Sequence, residues 1–149
     1  MILDGSLLMS EIQDLGSKAN ASVTVSTNII DLEEDFTLKD GWGTTITSDI
    51  GEGGGLTWNI IVEDEAVAGA SAAIVATLVG KAANASISSG GTTIATLTIE
   101  EAAAIGTRYS VSVPSGEVLR YLGVLYTISG GGSTTAGKIT SFISLDHQT

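Results

Sequence analysis

The sequence predicts an all-β fold, a single jelly roll or β-sandwich with a short N-terminal arm, and three observations carry that prediction. Apolar and polar residues alternate with a period of two in one segment after another, those segments are rich in Val, Ile, Thr and Tyr, and glycine clusters separate several of them. From Leu56 to Glu63, the residues Leu56, Trp58, Ile60 and Val62 share one face of an extended chain, with Thr57, Asn59 and Glu63 opposite, so Trp58 belongs to the core. Over 108–113 the inward positions are Tyr109, Val111 and Val113, and Pro114, which has no backbone donor, ends the strand. Further strands are expected over Ser22 to Leu32, Ala73 to Val79, Thr92 to Ile99, Leu119 to Ile128 and Lys138 to Asp146. Clusters at Gly53-Gly54-Gly55, Gly90-Gly91 and Gly130-Gly131-Gly132 supply the positive φ angles that tight connections need.

Two segments invite a helical reading. Glu100 to Gly106 fits about one turn, with acids at its amino end and Gly106 as its stop. Leu7 to Leu15 lies between Gly5 and Gly16 and is polar enough to read as a mobile arm. The expected organisation is an arm over 1–20 and one sandwich domain over 21–149.

Charge narrows the function. Seventeen acidic residues against six basic ones give a net charge of −11, and the positive charges are scattered, so neither nucleic acid nor an anionic membrane is an expected partner. The start of the chain has an acid, Asp4, where a secretory signal carries its positive charge, and the uncharged run from Ala66 to Gly80 falls short of the roughly 20 apolar residues of a membrane helix. A soluble protein that is not exported by a signal peptide is expected. The absence of cysteine removes disulfide scaffolds, thiol catalysis and thiolate metal sites.

The remaining motifs point away from catalysis. Gly51 to Gly55 runs into a strand and lacks the Gly-Lys-Ser/Thr ending of a phosphate loop. The acidic runs at Glu33-Glu34-Asp35, Glu63-Asp64-Glu65 and Glu100-Glu101 lack the alternate spacing of a calcium loop and read as solvated turns. The single histidine, His147, has no second His with which to share a metal. No enzyme, no cofactor, no metal and no small-molecule substrate is the expectation. Trp42, between Gly41 and Gly43, has no periodic context and suits a protein interface better than a sugar platform.

Three stretches, taken in order, resemble one family. They are Met1-Ile2-Leu3-Asp4 with Leu7-Leu8-Met9-Ser10, then Ser26 to Leu32, then Arg120-Tyr121-Leu122-Gly123-Val124-Leu125-Tyr126-Thr127 with Thr135 to Thr140. The family is the jelly-roll cement, or decoration, proteins of tailed-phage capsids. The resemblance implies a homotrimer on the outer capsid surface of the virion, clamping neighbouring subunits of the major capsid protein. On this reading Ile2, Leu3, Leu7, Leu8 and Ile12 grip the capsid, with an added edge strand as the alternative use of the same residues, and Trp42 and Arg120 make subunit contacts. The acidic insertion Glu33 to Asp40 and the run Gly51 to Gly55 depart from the family pattern. A tail or baseplate jelly roll and a carbohydrate-binding sandwich are the competing functions.

Overall fold

The computed structural model describes residues 7–31, 38–39, 45–46, 56–65, 72–82, 87, 91–114 and 120–145. The strands are β1 (Leu8–Asp14), β2 (Val23–Val25), β3 (Ile30–Asp31), β4 (Leu38–Lys39), β5 (Thr45–Ile46), β6 (Leu56–Asp64), β7 (Ala73–Lys81), β8 (Thr92–Ile99), β9 (Arg108–Val113), β10 (Tyr121–Ser129) and β11 (Lys138–Leu145). A first sheet has the order β1-β11-β6-β9 and a second the order β2-β10-β7-β8, with β3 also on β10; β4 and β5 pair separately. Every pairing is antiparallel. With β2 and β3 counted as one edge, successive strands of the two sheets change sheet at every step except the β7–β8 hairpin, which interleaves two Greek keys into a jelly roll.

The period-two pattern places the core between the sheets. Trp58, Ile60 and Val62 of β6, Ile74, Ala76 and Leu78 of β7, Leu122, Val124, Tyr126 and Ile128 of β10, and Ile139 and Ile143 of β11 are all buried there. Fully burying a side chain of this size contributes about 1.5–3 kcal/mol over leaving it exposed, so the interleaved stripes dominate the fold's stability. The expected continuous strand over Ser22 to Leu32 is instead an edge broken into β2 and β3. Ser26 causes the break: its Oγ donates to the Asn28 carbonyl (2.8 Å) and accepts from the Val124 amide (3.1 Å), bending the chain while keeping it attached to β10.

The reading of residues 1–20 as an arm is corrected by β1. Leu8–Asp14 pairs with β11, Met9 and Leu15 are fully buried, and Leu15 N donates to Gly137 O (2.8 Å). The link that follows is pinned by Thr134, whose Oγ1 donates to Leu15 O (2.6 Å) and accepts from Lys18 N (3.1 Å). What hides this strand in the sequence is its loss of alternation. The register slips between Leu8 and Ser10 and again between Ser10 and Gln13, so two residues oppose one on β11 at each bulge, and Met9 and Ser10 are buried in succession.

The helical turn expected over Glu100 to Gly106 is also corrected. The segment makes two reverse turns, with Ala103 N donating to Glu100 O (3.2 Å) and Thr107 N to Ala104 O (3.0 Å). Ala102 takes a left-handed φ of 57°, which breaks any helix, and Ala103 is thereby tucked into the core. Gly106, at φ 83°, ends the turn and donates its amide to Val62 O (2.8 Å).

A chain of hydroxyls crosses the core where β1 meets both sheets. Trp58 Nε1 can only donate, and it donates to Ser141 Oγ (2.9 Å). Ser141 also lies near enough to the Tyr126 hydroxyl to favour its ionised form. The Tyr126 hydroxyl lies 2.9 Å from Ser10 Oγ, which donates to Gln13 Oε1 (2.5 Å), and Gln13 Nε2 donates to Val25 O (2.7 Å). Because Ser10 gives its one proton to Gln13, Tyr126 is the donor to Ser10. Such chains strengthen one another in a medium of low dielectric. Burial pushes the Tyr126 phenol up to about 12, the polar contacts with Ser10 and Ser141 offsetting part of the rise.

Two outcomes follow. Tyr126→Phe strands a buried Ser10 acceptor, so chemical denaturation at neutral pH should show a loss of about 1–3 kcal/mol. The pH dependence has a definite sign: the folded phenol holds its proton more tightly than the unfolded one, so this stability is complete below pH 10 and is lost as pH rises from 10 to about 12. Denaturation curves across that window should show a drop of roughly 2–3 kcal/mol in the wild type that is absent from Tyr126→Phe.

Candidate interaction surface

The sandwich is closed along the side where β1 faces β2 and β3. Asn28, between β2 and β3, donates its amide to Met9 O (2.8 Å) and its Nδ2 to Leu8 O (3.3 Å), while Gln13 reaches Val25 O from the other direction. Edge groups of β1 that could template a foreign strand are thus occupied within the chain. Three large apolar residues nevertheless stand in solvent on the segments that meet here: Ile12 (57% exposed), Val23 (53%) and Ile29 (44%).

Ile12 is the most unusual of them. It occupies the second bulge of β1 at φ 45°, a left-handed conformation that β-branched residues resist, and Thr140 Oγ1 accepts its amide (3.2 Å). An exposed isoleucine in this position contributes nothing to folding that glycine would not improve.

The outer face of the second sheet continues from Val23. With Leu122, Val124, Tyr126 and Ile128 pointing inward, β10 turns Leu125 and Thr127 outward. The register sets Val25, Thr77 and Thr96 beside Leu125, and Val23, Val75 and Thr98 beside Thr127. These rows carry no charge, in a chain whose net charge is −11. Solvated sheet faces ordinarily alternate toward charged and polar side chains, whereas this one is valine, leucine and threonine. Beyond it, Ile87 folds over Gly123, where the missing side chain leaves room for its Cδ1, and is buried there.

The outer face of the first sheet sets a polar cluster around Asn59 beside Phe142, Leu8 and Ile61. Asn59, at the middle of β6, is fully buried although it points away from the core. Its Oδ1 accepts from Arg108 Nε (3.1 Å), Arg108 Nη2 (2.7 Å) and Ser110 Oγ (2.9 Å), and its Nδ2 donates to Thr57 O (3.0 Å) and Ser144 Oγ (2.8 Å). Sequence reasoning assigned Asn59 to the outward face but missed this cluster. Only the β6–β9 register, which sets Ser110 beside Asn59 and Arg108 beside Ile61, brings the three together.

Of the residues expected to bind partners, Leu7 and Leu8 are half-buried, Leu8 being paired with Phe142, and Ile12 is exposed. Ile2, Leu3 and Trp42 lie outside the described residues. Arg120 is engaged within the chain: Nε and Nη2 donate to the two Asp31 carboxylate oxygens (2.9 and 3.1 Å), and its guanidinium carbon sits 4.9 Å from the centre of the Tyr121 ring. Among the described residues, no group of three or more His, Asp or Glu is placed to hold a metal, and no helix is long and apolar enough to cross a membrane.

Strand order and packing define a jelly-roll β-sandwich whose distinguishing features lie on its outer faces. Its family follows from comparison with known sequences. The family model described as Bbp16 matches residues 16–143, from the turn after β1 into β11, and the chain belongs to that family. No curated protein matches it.

Replacing Ile12 with glycine relieves the left-handed strain without opening a cavity. Thermal unfolding of Ile12→Gly should show a gain of about 1 kcal/mol, or roughly 2–4 °C in Tm for a chain of this size. A loss of stability would mean that the Ile12 side chain packs more than its exposure implies.

Proposed function

We propose that this protein is a capsid cement protein, a structural component that assembles as a trimer on the outer surface of a phage shell and reinforces contacts between major capsid subunits. The observation that carries the proposal is the pair of uncharged rows through Leu125 and Thr127 on the outer face of the second sheet, continuous with exposed Val23, together with exposed Ile12 and Ile29, on a chain that is otherwise strongly acidic. Exposed apolar surface of this kind marks protein contact. The jelly-roll order agrees with the fold that the family resemblance implies.

The mechanism needs no chemistry on a substrate. Each copy lays a flat, uncharged sheet face and the β1 bulge against the shell, and a closed ring of copies engages several equivalent sites together. Linked contacts of this kind raise avidity by about 10²–10⁴ over one alone when their spacing matches the sites. The bracing acts between subunits because one rigid ring spans them. Acidic side chains elsewhere keep the free protein soluble.

Co-sedimentation with genome-filled or expanded shells tests the proposal. Wild-type protein should pellet with shells in saturable amounts, and the double variant Val23→Glu with Thr98→Glu should lose at least roughly tenfold in affinity with its melting temperature nearly unchanged, both positions being exposed. Ile12→Gly should bind more weakly although it melts higher. Wild-type protein that stays in the supernatant at all concentrations contradicts the cement role, and saturable binding to a glycan or to tails in its place supports a competing one.

A further inference from the structure

We propose that Arg108 is a carboxylate-recognising contact between copies of this chain; this rests on the self-association in the reading above and gives it a residue and a chemistry. Arg108 is exposed at the start of β9, yet its guanidinium is held in place: Nε and Nη2 both donate to Asn59 Oδ1 (3.1 and 2.7 Å). Asn59 is itself fully buried and fixed by Ser110 Oγ (2.9 Å), Thr57 O (3.0 Å) and Ser144 Oγ (2.8 Å). A guanidinium has five N–H donors. Those on Nη1, and the second on Nη2, have no partner among the described residues.

The anchor is neutral, and this decides the chemistry. An aspartate at position 59 would have the same shape and would cancel the charge of Arg108. Asparagine orients the guanidinium and leaves its charge available. In a chain with seventeen acidic and six basic residues, an arginine is readily neutralised from within, as Arg120 is by Asp31. No carboxylate among the described residues lies within salt-bridge distance of Arg108. Its free donors match the two oxygens of a carboxylate, and a fork already held in position loses little freedom on binding one.

The chain's own surface is the source of that carboxylate, since acids outnumber bases almost threefold on every copy. Arg108 on one copy meeting an acidic side chain elsewhere on the next is a heterologous contact, the kind that closes rings. It also replaces part of the repulsion between acidic copies with attraction, on the opposite sheet from the uncharged face assigned to the shell.

Sedimentation equilibrium of the full chain tests this with R108Q and N59D, at about 0.05 and 0.5 M salt, where screening lengths differ severalfold. Wild type should associate, more weakly at high salt. Both variants should raise the dissociation constant roughly tenfold or more, with little remaining salt dependence. N59D is the sharper probe of charge, because it keeps an oxygen facing Arg108 and neutralises it, at the cost of the Nδ2 bond to Thr57 O. Should R108Q or N59D fail to fold by circular dichroism, R108K, which keeps the charge and loses the planar fork, decides the matter: weakened association supports the contact and unchanged association overturns it. Folded R108Q and N59D that associate like wild type overturn it, as does a wild type that is monomeric throughout. Shell co-sedimentation of the same samples separates the two claims. A monomer that binds shells removes this contact and leaves the cement reading, whereas an associating chain that ignores shells does the reverse.

Discussion

The hydroxyl chain from Trp58 to Gln13 joins the two sheets at the point where β1 folds back over the core, and much of the molecule depends on it. A β-sandwich can slide or splay if only apolar contacts hold its layers, since hydrophobic burial has no direction. The hydrogen bonds have direction. Trp58 and Ser141 belong to the first sheet, Tyr126 to the second, Ser10 and Gln13 to the bulged strand, and Gln13 ends on the backbone of β2. A one-residue slip of β1 would expose Ser10 and leave the Tyr126 hydroxyl buried without its partner, so the network specifies register as well as adding stability.

The bulges follow from that requirement. Ser10 and Gln13 must both reach inward, three positions apart, which strict alternation forbids; the extra residue at Ile12 resolves the conflict by turning the chain through a left-handed conformation. The core network thus throws Ile12 outward, beside the other exposed apolar side chains of the closed seam. Packing inside and contact outside are set by one local irregularity. On the remaining surfaces the division of labour is electrostatic, an uncharged face on the second sheet and an oriented guanidinium on the first.

Most of the architecture could be read from the sequence. The strands at Leu56, Ala73, Thr92, Arg108, Tyr121 and Lys138 announce themselves because apolar and polar residues alternate along them, and Trp58 lies in the core as its register with Leu56 and Ile60 requires. β1 was legible only as the alternative to an arm, an added edge strand, because its two bulges erase the alternation over Leu8–Asp14. Glu100 to Gly106 misled for a different reason: Ala and Glu favour a helix locally, and the tertiary demand to bury Ala103 and cap Val62 overrides that preference. The interaction surface was legible only in part. Ile12 stood out as apolar in a polar segment, whereas the uncharged rows of the second sheet and the Asn59–Arg108 cluster exist only once strand pairing sets distant residues side by side.

On the proposed function, these features belong to a rigid sandwich that works through its outer faces and reinforces a shell from outside. A cryo-EM map of shells incubated with the protein, compared with bare shells, tests that claim most directly. The account predicts added density at local threefold positions on the exterior, with the outer face of β10 and β7 against the capsid and the β6–β9 face directed at a neighbouring copy. Shells with no added density, or density confined to the tail, would contradict it.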